Sequence, residues 1–413
     1  MRIVTTILLF AIFTTSVGAQ PLFESKPIAL DAQQRAQEYA LAVQNFSDTL
    51  FFSKDVRDEN MMISPLSALL ALGMTANGAA AQTQQEMLNV LAGPKLSLQD
   101  FNAANHAFLK TVNSNKTDVL RIANSLWANE LIELQKPFLK TTKEQYFAQA
   151  TNLDFFTPKS VEIINNWVSE ATRGAIPTII DSVEPSTLLY LINAITFKDD
   201  WLMAFEKNLT KERIFHTKDG DIEARFLHKE ASFDVLLLED ASILILPYKN
   251  PDYLMVAVLP RPGLSIDSYL SDRKHDSLTR FLLQSIETAE KQYIELALPA
   301  FESSYKTSLV ESLKRMGMKR CFDASLSDFS NMQGSIGKQV VIDDVLQKTY
   351  IKVDEQGTEA AAVTAVIMKV TSIMSPPSVS LIFDRPFFYA IIDQKEQIPL
   401  FMGVLDHPQL AQF

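Results

Sequence analysis

Val353-Asp354-Glu355-Gln356-Gly357-Thr358-Glu359-Ala360-Ala361-Ala362-Val363-Thr364-Ala365 is the stretch on which the reading of this chain turns. Side chains of an extended segment point alternately to its two faces. Thr358, Ala360, Ala362 and Thr364 share one face and are all small, while Glu359, Ala361, Val363 and Ala365 share the other, with one charge among them. Gly357 leaves the backbone free to bend where the segment begins. No proline interrupts Glu355 to Ser375, so a strand here would forfeit no ladder hydrogen bond. A face of small side chains suits a strand entering a packed interior, where no volume is spare, and the one charge on the other face can stay wet. The competing reading is an alanine-rich surface helix over 358–368. Ala favours helix, whereas Val363, Thr364, Val366 and Ile367 favour strand, and on these residues alone the two readings stand even.

Working outward, Val340–Asp354 and Val379–Val404 carry strand patterns on either side of this stretch. Leu188 to Phe197 is nearly continuous apolar sequence and reads as a strand buried on both faces. Val235–Leu238, Ser242–Pro247, Tyr253–Pro260 and Tyr293–Pro299 read as further strands, and Thr307 to Gly317 as a helix closed by its C-terminal glycine. The N-terminal half is helical in pattern. Asp31 to Phe52 has helical apolar spacing, and Ser64-Pro65-Leu66-Ser67 opens the run Ala68 to Met74, with Ser64 as N-cap and Pro65 at the first helical position. Thr83-Gln84-Gln85-Glu86 reads as a capping box, and Leu98–Val112, Pro137–Gln149 and Pro158–Arg173 as amphipathic helices. Helices first and strands later is an α+β order. With no Gly/Ser-rich linker, no repeat and 12 glycines in 413 residues, one large domain is expected, and a hydrophobic fraction of 47% is ample for its core.

Residues 1–19 stand apart from that domain. Met1-Arg2 is a short basic start, Ile3 to Val17 is apolar apart from threonines and a serine, and Val17-Gly18-Ala19 offers small residues for cleavage. This is the pattern of a secretory signal peptide, too short for a membrane anchor. The expected product, residues 20–413, is secreted to the extracellular space, or to the periplasm if the source is a Gram-negative bacterium. A net charge of −11 argues against nucleic-acid and anionic-membrane partners. Cys321 is the only cysteine, so the domain relies on packing rather than disulfides. The five histidines (106, 216, 228, 275 and 407) are scattered and show no metal-ligand spacing. No nucleophile elbow, phosphate loop or dinucleotide fingerprint occurs, which argues against an enzyme and against a bound cofactor or metal. Asn45, Asn115 and Asn208 stand in glycosylation sequons.

Several motifs, taken in order, resemble those of the serpin family. They are Asn60 with Ser64-Pro65-Leu66-Ser67; Asn165-Asn166-Trp167 through Thr172-Arg173-Gly174-Ala175-Ile176; and Leu191 to Lys198 with Trp201 and Phe205. The hinge-like Val353 to Ala362, then Asp384-Arg385-Pro386-Phe387 and Pro399 to Gly403, complete the series, so the resemblance spans about 35 to 408. It implies an α+β serpin fold: a single domain with about eight or nine helices, a large central mixed sheet, smaller sheets and an exposed reactive-centre loop at about 355–380. It also implies a hinge of Glu355, Gly357, Thr358, Glu359, Ala360, Ala361 and Ala362, and a sheet-opening core of Asn60, Ser64, Ser67, Asn165, Asn193, Trp201 and Gln347. The family usually has histidine where Gln347 stands; glutamine also donates and accepts, so its network could survive. The family commonly has glycine after Phe-Lys, where this chain has Asp199, a difference read as a local turn.

The implied function is suicide inhibition of a serine endopeptidase, with a cysteine protease as second target class. The protease cleaves the loop, is held as an acyl-enzyme, and is distorted as the loop inserts into the central sheet. About sixteen residues beyond Glu355 lies Thr371-Ser372, whose small neighbours suit an elastase-like pocket; Lys369-Val370 is second choice, for a trypsin-like enzyme. A chymotrypsin-like enzyme would use Met368 or Met374. The helix near 98–112 carries only Lys110, so no strong heparin site is expected. A monomer is expected. The alternative is a non-inhibitory member that binds a ligand or acts as a chaperone.

Overall fold

The computed structural model describes residues 30–53, 60–114, 119–184, 186–333, 340–358 and 379–409. Within them lie ten α-helices: α1 (Ala32–Phe52), α2 (Pro65–Ala76), α3 (Ala81–Leu91), α4 (Leu98–Ser114), α5 (Lys136–Tyr146), α6 (Lys159–Ala171), α7 (Ile266–Asp272), α8 (Leu278–Thr288), α9 (Val310–Arg315) and the single turn α10 (Ser330–Gln333). The strands are β1 (Met62–Ile63), β2 (Leu120–Asn129), β3 (Gln149–Leu153), β4 (Leu189–Phe197), β5 (Asp199–Asp200), β6 (Lys211–Thr217), β7 (Gly220–Leu237) and β8 (Ala241–Pro247). They continue as β9 (Tyr253–Pro260), β10 (Glu290–Pro299), β11 (Phe301–Ser308), β12 (Asp344–Val353), β13 (Gly357–Thr358), β14 (Val379–Ile382), β15 (Phe387–Asp393) and β16 (Ile398–Leu405).

Two sheets form. One has the order β1-β16-β15-β9-β8-β7-β10-β14, with β6 also on β7; the other has the order β3-β2-β4-β12-β13-β5, with β11 on β12. β4 explains the second sheet's place. All nine of its residues are buried. Leu189, Leu191, Ile195 and Phe197 enter the main core, while Tyr190, Ile192 and Ala194 enter a smaller apolar cluster with Ile164 and Val168 of α6. The period of two delivers alternate side chains to two layers, so the central sheet is sandwiched between the core and α6. On the core side sits α2, every residue of which is buried.

Four local expectations are corrected. Ser64 is the residue before α2, but its side chain makes no capping bond; its hydroxyl donates to the Leu400 carbonyl at 2.7 Å instead. Thr83 does not open a helix. It lies inside α3, where its oxygen accepts from the Asp328 amide, and Glu86 accepts from the amides of Lys319 and Arg320, so the presumed capping box pins a distant loop. The expected helix from Thr307 begins only at Val310, because Phe301–Ser308 pairs with β12 along its full length. Gly317, at φ 104°, does follow the helix end. Finally, Pro137–Gln149 is helical only to Tyr146; Phe147 takes a left-handed conformation at φ 50°, and Gln149 starts β3. Cys321 is fully buried, and that burial pushes its thiol pKa upward.

Asp393, at the β15–β16 hairpin, is buried and accepts from the Glu396 amide at 2.9 Å. Burial, helped by the Glu396 and Asp252 carboxylates, pushes its pKa up to about 6. The unfolded chain loses this proton near pH 4, so between about pH 4 and 6 the folded chain holds a proton that the unfolded chain lacks. Stability therefore falls as pH rises through that window. Asp393→Asn keeps the acceptor and removes the charge. It is expected to add about 1–3 kcal/mol at pH 7.5 and almost nothing at pH 4 by chemical denaturation; equal midpoints at pH 7.5 would refute the assignment.

Candidate functional site at the open end of the central sheet

β4 and β12 run parallel and pair directly from Tyr190↔Asp344 to Ile195↔Thr349. Beyond Thr349 they part, and the gap is filled by β13. Thr358 pairs antiparallel with Val353 on one side and with Asp199 on the other, and Gly357 pairs with Asp200. The chain reaches this place through a tight turn: the Asp354 amide donates to the Gly357 carbonyl at 3.0 Å, while the Asp354 carboxylate accepts from the Gln356 amide at 2.9 Å. Glycine at 357 is required by contact. A Cβ there would lie 2.1 Å from the Asp199 carbonyl oxygen and 2.6 Å from Asp200 Cα.

The turn is held from several directions. Glu355 is buried, and its Oε1 accepts from Arg225 Nη2 at 2.8 Å and Thr210 Oγ1 at 2.9 Å. The Glu355 carbonyl accepts from the Phe205 amide and the Gln356 carbonyl from the Trp201 amide, both at 2.7 Å. Trp201 also donates Nε1–H to the Asp354 carbonyl at 3.0 Å and stacks on Tyr248 at 4.5 Å between ring centres. The Tyr248 hydroxyl lies 2.6 Å from Thr358 Oγ1, and Thr358 is fully buried. Burial raises the Tyr248 pKa, so both hydroxyls of this pair stay protonated and either can donate. Asp199, expected as a turn difference, is a strand residue of β5. Its carboxylate, whose pKa burial raises, accepts from the Asn250 amide at 3.0 Å.

Below the gap, a buried polar cluster crosses the seam. Gln347 of β12 accepts from the Ser64 amide at 3.0 Å through Oε1; its Nε2 donates to the Ser64 carbonyl at 2.8 Å and to Ser67 Oγ at 3.2 Å. Ser67 donates to Asn193 Oδ1, and Asn193 Nδ2 donates to Asn124 Oδ1 at 2.6 Å. Asn124, Asn193 and Gln347 are in register on β2, β4 and β12. Glutamine here bonds through both ends of its amide, and each buried bond matters because an abandoned buried group costs about 1–3 kcal/mol.

The structure thus brings Ser64, Ser67, Asn193 and Gln347 into one network. Trp201 belongs with the hinge turn. Asn60, at φ 53°, instead clips the C-terminal tail: its Oδ1 accepts from the amides of Asp406 and His407. Asn165 fastens the loop after α6, accepting from the amides of Ile179 and Ile180 and donating to the Ile180 carbonyl at 2.8 Å. Glu359, Ala360, Ala361 and Ala362 of the hinge, and the candidate bonds Thr371-Ser372 and Lys369-Val370, lie outside the described residues. Sequence reasoning did not find Arg225, Thr210 or Tyr248, which reach the turn from remote strands with no local motif. Among the described residues, no group of His, Cys, Asp and Glu is placed to hold a metal. No described helix is long and apolar enough to cross a membrane.

The described site is thus a sheet whose strands β4 and β12 pair directly over part of their length, with the short strand β13 seated between β12 and β5 beyond it. The family model for serpins (serine protease inhibitors) matches residues 41–408, and the chain belongs to this family. A serpin-like protein of Thermococcus kodakarensis is 31% identical over 376 residues, covering 89% of this chain and 85% of its own. Human Serpin B8 is 30% identical over 375 residues, covering 88% and 97%. The crystal structure of the thermophilic serpin tengpin in its native state superposes with a TM-score of 0.81 at 32% identity, covering 93% of this chain and 96% of tengpin. Human thyroxine-binding globulin, complexed with thyroxine, shares the fold (TM-score 0.82, 23% identity, 91% and 100% coverage). Serpins are generally protease inhibitors rather than catalytic enzymes, and thyroxine-binding globulin shows that the fold also serves other ends.

Gly357→Ala tests the seating of β13. With backbone atoms inside contact distance of the new Cβ, the strand is expected to leave the gap. The Trp201 indole N–H then loses the Asp354 carbonyl, and the tryptophan emission shifts to the red, with a loss of about 1–3 kcal/mol in stability. An unchanged spectrum and midpoint would show that β13 is not held by close approach.

Proposed function

We propose that this chain is a secreted suicide-substrate inhibitor of serine endopeptidases, offering Thr371-Ser372 as its reactive bond. The observation that carries the reading is β13, seated antiparallel to both neighbours at the parted end of β4 and β12. Continued entry of the residues after Thr358 replaces one parallel pairing by two antiparallel ones, and parallel pairing is the slightly weaker of the two kinds. Net gain is about 0.5–1.5 kcal/mol per backbone hydrogen bond, with apolar burial added.

In this mechanism the protease serine Oγ attacks the carbonyl carbon of Thr371. The Thr371–Ser372 bond breaks, Ser372 leaves as an amine with the proton, and Thr371 remains as an ester on the protease. Insertion then carries the ester-linked protease along the sheet before water can hydrolyse it. Val370 and Thr371 are small and uncharged, which supports an elastase-like target; cysteine proteases form the corresponding thioester. Removal of residues 1–19 delivers the domain to the extracellular space, or to a periplasm where the source has one. The reading includes a monomer without cofactor and no heparin requirement.

Incubation with pancreatic elastase and with trypsin tests the proposal. An SDS-stable adduct near the summed mass is expected, with a released peptide beginning at Ser372. A peptide beginning at Val370 would move the bond to Lys369-Val370. Cleavage without an adduct by every serine protease tried would overturn inhibition in favour of a ligand-binding or chaperone role.

A further inference from the structure

β11 and β12 pair so that Lys306 stands directly opposite Lys348. Tyr305 and Thr349 beside them are buried, so the alternation of the two strands turns both lysines outward. Like charges set opposite each other in an antiparallel pair oppose folding, and their surroundings compensate little. Lys348 Nζ donates to the Thr178 carbonyl at 2.7 Å, a neutral acceptor. Lys306 Nζ lies 3.4 Å from Asp181 Oδ2, and that carboxylate is 92% exposed. Glu302, the acidic residue on the same face of β11, accepts from the Tyr350 hydroxyl at 2.8 Å. Burial first, and Lys306 second, lower the Lys348 pKa, with Asp181 offsetting part of the effect.

The loop that brings Thr178 and Asp181 here is itself fixed. Ile176, Ile179 and Ile180 are buried in the cluster under α6, and Asn165 accepts from the amides of Ile179 and Ile180. Thr178 and Asp181 are the exposed members of the same loop. β11, β12 and this loop therefore meet at one place that holds two ammonium groups and one carboxylate. An ammonium group has three donors, and among the described residues each lysine commits one of them. A tetrahedral oxyanion offers acceptors on every side and more than one negative charge, and lysine serves it as a point charge.

We infer that Lys306 and Lys348 form a binding site for a tetrahedral oxyanion of the phosphate class, held between the two ammonium groups with the exposed Asp181 carboxylate turned away. The occupant ties β11 and β12 to the loop after α6, on the outer side of the β4–β12 seam. A strand entering that seam has to separate β12 from β4 by about one strand spacing, roughly 4.8 Å. One consequence, which rests on the proposed function, is that the tie opposes this separation and slows inhibition. The chain's net charge of −11 keeps the affinity modest and dependent on salt.

Calorimetric titration of the intact protein with inorganic phosphate and with tripolyphosphate, at low ionic strength and pH 7.5, tests the site. Saturable one-to-one binding is expected. Similar affinity for the two identifies the free anion as the occupant, whereas a gain of about tenfold with tripolyphosphate identifies a phosphate chain; either supports the site. Lys306→Gln and Lys348→Gln each weaken binding at least about threefold, and Asp181→Asn, which removes the competing carboxylate, strengthens it by about the same factor. Absence of saturable binding, or equal affinity in the wild type and in the variant carrying both lysine changes, which would mean an adventitious ion only, overturns the inference. Adduct formation with elastase is then followed with and without phosphate. Slowing in the wild type but not in the double variant is expected, and an unchanged rate in both overturns the consequence for insertion. Absence of any adduct counts against the proposed function, while the calorimetry still decides the site.

Discussion

The direct parallel pairing of β4 with β12 is the interaction on which the rest of this molecule depends. Six register pairs close the seam, and everything around it either holds it shut or marks where it parts. On the core side, the backbone of Ser64, just before α2, meets Gln347, and Ser67 of α2 meets Gln347 and Asn193, so the seam is tied through side chains as well as the ladder. On the other side, the cluster under α6 spans all three strands, from Trp127 of β2 through Ile192 of β4, with Leu346 and Tyr350 of β12 packed against it. Lys348 adds a bond from β12 to the Thr178 carbonyl at 2.7 Å. A strand entering the seam must displace direct ladder bonds, cross the polar network and slide beneath α6. Under the proposed function, these are the barriers that insertion has to overcome.

The turn at Asp354–Gly357 sets where entry starts. Its donors come from β5's successor loop, from β7 and from the residues before β6, so the position of β13 is overdetermined. Glu355 is the most constrained member: it is buried and shared by Arg225 and Thr210. Such an anchor resists opening of the turn.

Much of this was legible in the sequence, and the reasons differ by element. β4 announced itself because a strand buried on two faces must be apolar throughout. Gly357 was singled out for the freedom of its backbone, and the structure adds the close approach of Asp199 and Asp200, whereas the small residues after Thr358 lie outside the described part of the chain. β11 was missed because its outward side is solvated, so Glu302, Ser304 and Lys306 dilute the signal to a polar run. β7 was recognised only at its apolar end, Val235–Leu237, since most of its 18 residues alternate with exposed charges. β2 was not assigned at all: Arg121, Asn124, Ser125 and Asn129 break its apolar pattern, and two of those polar residues serve the networks of the sheet interior. Asn60 was grouped with the serines through the family resemblance, yet its side chain accepts from the amides of the C-terminal tail. The pattern is consistent: burial shows in the sequence, whereas hydrogen bonds between remote strands do not.

The proposal that loop cleavage drives strand insertion is tested most directly by calorimetry of the chain before and after a single cut in the segment beyond Thr358, made with a protease that is not trapped. Insertion of about a dozen residues would add on the order of 10 kcal/mol of hydrogen bonding and raise the unfolding midpoint by roughly 10 °C or more. A midpoint that stays the same or falls after the cut would show that the seam between β4 and β12 remains closed, and would contradict the account.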